Sequence, residues 1–137
     1  MTDYEVGLRR LRLLMVVTGI GLIVLVPFGF SIWPAGFQWG HPHGHPAYER
    51  MIVAIYAALG ICLLVAARDP VKNVSIIDFT ILSSIFHGAV MAYDSFAQHG
   101  EMTHLIGDVP LLFGMAGLFV WLHPRRLALL PGAPAAG

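Results

Sequence analysis

The stretch HPHGHPAYER, residues 41–50, sets His41, His43 and His45 at alternate positions ahead of Glu49. Imidazole and carboxylate are ligand types for Zn, Cu, Ni and Fe, and both transfer protons. In an extended segment alternate side chains point the same way, about 6 to 7 Å apart. Three such histidines chelate a cation after modest bending. His–x–His with Pro and Gly is also ordinary loop composition, and a solvated loop is the commoner reading.

Two further groups carry the same chemistry. SSIFHGAVMAYD holds His87, and the spacing places Thr80, Ser83, Ser84, His87 and Asp94 along one helical stripe. An ionised group near the membrane centre costs ~3 kcal/mol even on the lenient insertion scale. His87 therefore needs a partner, and a hydroxyl on a neighbouring helix suffices. HLIGDVP puts His104 and Asp108 at i and i+4 of a helix that starts near Thr103. The helix dipole alone explains a carboxylate there, and it explains Glu49 equally. In an antiparallel bundle His87, His104, Asp108 and Glu49 converge into one outward-facing pocket. Such a pocket suits a divalent metal, Zn or Cu, with His41, His43 and His45 as the loop through which the ion enters.

The elements that must position these residues are apolar. Hydrophobic residues make up 57% of the 137-residue chain and charged residues 12%, against about 25% charged in a typical soluble domain. The excess apolar surface must face lipid. Zero net charge excludes a nucleic-acid surface, because no basic patch is available to neutralise phosphates. A single cysteine, Cys62, excludes an intrachain disulfide and a multi-cysteine metal site.

Four apolar runs approach the roughly 20 residues needed to cross the hydrocarbon. They predict an all-α, integral membrane, up-down four-helix bundle in a single domain, 1–137. The helices fall at about 13–33, 46–67, 74–93 and 103–122, with outer loops 34–45 and 94–102. A cytoplasmic tail, 124–137, lies frayed on the inner surface. Pro27 falls inside the first helix. The basic LRRLRLL segment resembles the start of a signal peptide, but the apolar run that follows is too long and lacks an A-x-A-like site, so the helix reads as retained. Arg9, Arg10, Arg12, Arg68, Lys72, Arg125 and Arg126 fall on one side and only Arg50 on the other. The positive-inside rule puts both termini in the cytoplasm and the histidine-rich loop outside. Of seven histidines, only His123 is then clearly inside. Asp78 reads as snorkelling at the inner end of the third helix. Ala54, Ala58 and Cys62 predict a close-packing ridge on the second helix, and Gly114 and Gly117 thin the fourth. Ile77 and Ile81 are expected on the lipid face of the third.

At HPHGHPAYERMI, SSIFHGAVMAYD and HLIGDVP the chain resembles a family of small bacterial four-helix membrane proteins known only as a domain of unknown function. The resemblance implies the fold and a bacterial inner (plasma) membrane location; it implies no activity.

The leading functional expectation is a membrane protein that binds a metal or small ligand, without catalytic residues. A second is a redox protein holding haem or quinone, with His87 and His104 as axial ligands. A third is an accessory subunit whose polar residues bond within the bundle or to a partner. The lipid bilayer is the partner that composition implies, with a homo-oligomer or a membrane-complex partner as the further expectation.

Overall fold

A computed structural model describes residues 1–37, 46–97 and 102–134. The described residues are helical and contain no strand. Four helices form the frame: α1 (Asp3–Ile32), α2 (Pro46–Ala66), α3 (Val74–Ala97) and α4 (Asp108–Trp121). Each belongs to a segment long and apolar enough to span a membrane, yet at most 33% of any such window is buried within the chain. The remaining apolar surface faces outward, where lipid is the compatible solvent. The chain is a multi-pass membrane protein.

α1 starts at Asp3, well ahead of its apolar run. Thr2 and Glu5 form a reciprocal capping box: Glu5 N–H donates to the Thr2 hydroxyl, and Thr2 N–H donates to the Glu5 carboxylate at 2.8 Å. Thirty residues make a helix of about 45 Å, so its charged first turns extend past the roughly 30 Å apolar layer. The helix continues through Pro27. A short turn, Pro34–Phe37, then folds back, setting the Phe37 ring against Gly29 and edge-on to Trp33.

The most extensive packing joins α1 to α2 and α3 to α4; α2 touches α3, and α1 touches α4, more lightly. The core runs through all four, from Leu11, Met15 and Leu22 to Leu59 and Leu63, then Ile77, Ile81, Phe119 and Leu122. α1 and α2 meet closely at Gly19 and Gly60. A Cβ added at Gly60 would stand 2.6 Å from the Gly19 carbonyl oxygen.

Three packing expectations do not hold. Ala54, Ala58 and Cys62 are exposed, so the close approach on α2 uses Gly60 and not that ridge. Gly114 and Gly117 have no neighbour within 4 Å of an added Cβ and thin nothing. Ile77 and Ile81 are buried, while Phe79, Leu82, Phe86 and Val90 are exposed. The inward face of α3 runs 77, 80, 81, 84, 88, 95, a helical repeat that mixes isoleucine with hydroxyl residues. Thr80, Ser84 and Ser95 remain apolar-compatible because each hydroxyl donates to a carbonyl one turn back, on Ile76, Thr80 and Met91.

The fourth span is composite. α4 has 14 residues, about 21 Å, too short by itself for the apolar layer. A 3-10 turn, Met102–Leu105, precedes it and a helical turn, Pro124–Leu127, follows. Thr103 is therefore not the cap of a long α-helix. Gly107 occupies the cap, and Pro110 sits in the first turn of α4, where no backbone donor is needed. At the opposite end the tail is docked: buried Leu127 packs on Gly7, and Gly132, at φ 85°, packs on Thr2. Between α2 and α3, the Lys72 ammonium 3.1 Å from Asp69 holds that exposed carboxyl below the usual carboxylate range.

Candidate functional site

Tyr56 and His87 form the first of two polar pairs. The tyrosine hydroxyl lies 2.7 Å from His87 Nδ1, and the two rings are nearly parallel, 5.7 Å between centroids. Tyr56 sits inside α2, and His87 lies about 15 Å from the C-terminal end of α3. Lipid supplies neither group with a partner, so each satisfies the other across the α2–α3 contact. With the phenol donating, neutral His87 carries its proton on Nε2. That nitrogen bonds to no described residue.

The second dyad is His104 and Asp108, both buried. His104 Nδ1 stands 3.1 Å from each carboxylate oxygen. They do not share a continuous α-helix: His104 lies in the 3-10 turn and Asp108 opens α4, with the Gly107 cap between them. An Nδ1–H donated to the carboxylate leaves the ring lone pair on Nε2 and fixes the imidazole plane, the arrangement by which carboxylates orient histidine ligands. α3 packs on both α4 and the 3-10 turn, which brings the two dyads to the same end of the bundle.

Glu49 lies half-buried in the first turn of α2. Among the described residues no three His, Cys, Asp or Glu side chains stand together in a metal-holding group. His41, His43 and His45 lie outside the described residues, as do His99 and Glu101. Tyr56 was not foreseen as a site residue. Its signal was a phenol isolated in an apolar run, seven residues from Glu49 and so near the same helix face.

A second polar network, also unforeseen, occupies the end of the bundle where the tail docks. His123 Nε2 is 2.9 Å from Asp78 Oδ1, and Arg125 Nη2 is 3.1 Å from Asp78 Oδ2. The Arg125 backbone N–H donates to His123 Nδ1. An accepting Nδ1 makes this a neutral ring whose Nε2–H donates to the carboxylate. Asp78 is thus the joint between α3 and the turn that follows α4.

Arrangement and sequence agree with a family-level match that spans residues 6–129 and is described as "Family of unknown function (DUF6632)". The chain belongs to that family. The DUF6632 match takes in all four spans and both polar networks. No curated protein and no solved structure matches the chain.

Proposed function

We propose that this DUF6632 protein binds a small polar ligand, a divalent metal ion first among them, at Tyr56, His87, His104 and Asp108. The observation that carries the reading is the 2.7 Å contact between Tyr56 and His87 Nδ1. To ligate a metal through Nε2, His87 takes the other tautomer, its Nδ1–H donating to the tyrosine oxygen as metal-bound histidines donate their second ring N–H. Asp108 acts here as the group that orients His104, with His87 as the primary ligand. Glu49 and the His41, His43 and His45 loop would complete the coordination sphere from α2 and from the loop ahead of it. The distribution of basic residues supports placing this end of the bundle outside and both chain ends in the cytoplasm.

The test is Zn and Cu binding by the purified full chain in mild detergent. His87→Ala and His104→Ala are each expected to weaken binding sharply, and a triple His41/His43/His45→Ala variant only mildly. Histidine ligands must be deprotonated to bind, so affinity falls as pH drops through the histidine range. Full loss in the loop variant with normal binding by both single variants overturns the pocket. Absence of metal binding, with no visible absorption to indicate haem, favours a hydrogen-bonded bundle interior and an accessory-subunit role.

A further inference from the structure

The end of the bundle opposite the Tyr56–His87 pair holds a cleft of about 340 Å³ between the first turns of α1 and the segment 121–130. Its walls combine Arg10, Arg126 and Asp3 with Trp121, Leu127 and Leu130. The acids nearby are engaged elsewhere: Asp78 by Arg125 and His123, Asp69 by Lys72, and Glu5 by the Thr2 backbone. Neither the Arg10 nor the Arg126 guanidinium pairs with a described residue. Two unpaired guanidiniums at one cleft suit a phosphate, whose oxygens accept several charge-assisted hydrogen bonds.

We propose that this cleft binds the phosphodiester headgroup of an anionic phospholipid, with Arg10 and Arg126 on the phosphate. Three features favour a lipid over free phosphate. The half-exposed Trp121 borders the cleft, and tryptophan is enriched at the level of lipid headgroups. Leu127 and Leu130 make part of the wall apolar, which a free ion does not use. Along the face of α1 that continues from Arg10, Leu13, Val17, Ile20 and Val24 are all exposed. Their spacing of three and four makes a continuous apolar track leading away from the cleft, with room for an acyl chain. Basic pockets between spans are a recurring form of anionic-lipid recognition. Among the described residues Asp3 is the one anion in the wall, and it opposes the ligand.

Binding is measured on the full chain in neutral detergent, titrated with phosphatidylglycerol or with phosphatidylcholine of the same acyl chains, reading retained lipid and Tm. Phosphatidylglycerol is expected to be retained and to raise Tm, and phosphatidylcholine to do neither. At about 1 kcal/mol per basic residue, Arg10→Gln/Arg126→Gln weakens retention roughly twentyfold or more. Arg10→Lys/Arg126→Lys keeps most of it. Arg9→Gln/Arg12→Gln, which removes the same charge outside the cleft, is expected to leave it near wild type. Asp3→Asn is expected to tighten it, and it carries the test if the double arginine variant fails to fold. Equal loss in both double glutamine variants overturns the site in favour of diffuse attraction. Equal retention of both lipids, or weaker binding in Asp3→Asn, also overturns it. An equal Tm rise with inorganic phosphate overturns the lipid as the occupant.

Discussion

Gly19 and Gly60 meet backbone to backbone where α1 crosses α2, each filling the space in which the other's side chain would stand. A methyl at position 60 would fall 2.6 Å from a carbonyl oxygen, and backbone cannot rotate aside as a side chain does. Gly60→Ala is therefore expected to destabilise the protein by about 1–3 kcal/mol, the usual range for overpacking. Gly114→Ala, with open space around it, is expected to change stability by less than about 0.5 kcal/mol. Reversible unfolding in mixed micelles measures both. Equal losses would show that the crossing is not tight.

Tyr56→Phe removes one hydroxyl and leaves His87 Nδ1 without its donor. Hydrogen bonds between membrane helices contribute about 0.5–2 kcal/mol, and a loss in that range is expected. A double-mutant cycle with His87→Phe should return a coupling of the same size. The ¹⁵N spectrum of His87 provides the second readout, since losing the phenol changes the environment of Nδ1 specifically. An unchanged Nδ1 signal in Tyr56→Phe rules the bond out.

The faces of α3 are testable by labelling. In a Cys62→Ser background, cysteines at Thr80, Ser84, Ile77 and Ile81 are expected to react slowly with a reagent dissolved in lipid. Cysteines at Phe79, Leu82 and Phe86 are expected to react fast, as is Cys62 of the wild type, which is exposed. Fast reaction at Ile77 and Ile81 would restore the lipid-facing assignment that their apolar character suggests.

At the other end, Asp78 holds two partners of unequal standing. The Arg125 side chain is 74% exposed, so Arg125→Gln is expected to cost at most about 1 kcal/mol. His123 is buried, and Asp78→Ala, which deprives it of its acceptor, is expected to cost more. The tautomer is checkable directly: His123 Nδ1 should be unprotonated by ¹⁵N chemical shift. Protonated Nδ1 contradicts the bond from Arg125 N–H.

The four spans were legible because hydrophobicity is a local property, summed over each run without knowing what it touches. The first ten residues of α1 were not read as helix, since charge masked them. The signal was present in Thr2–x–x–Glu5, the capping-box spacing. Small residues were visible on α2 and α4, but composition marks them without saying which face they occupy. Gly60 and not Ala58 lies at the crossing, because only glycine admits a backbone carbonyl. Ile77 and Ile81 went to lipid on apolar character, which does not distinguish a core from an outer surface in a membrane. His87 could be recognised as needing a partner. Tyr56, 31 residues away, and Asp78 with His123, 45 apart, could not be paired, since nothing local couples such separations.

The docking of Leu127 on Gly7 and of Gly132 on Thr2 has a kinetic consequence. The α1–α2 and α3–α4 pairs join neighbours in the chain and can form as each hairpin is made, whereas the contact that closes the bundle joins its first turn to its last. Contacts of such long sequence separation form slowly. The first turns of α1 therefore stand uncovered until synthesis has passed Gly132, and final closure follows the formation of both hairpins and does not guide it.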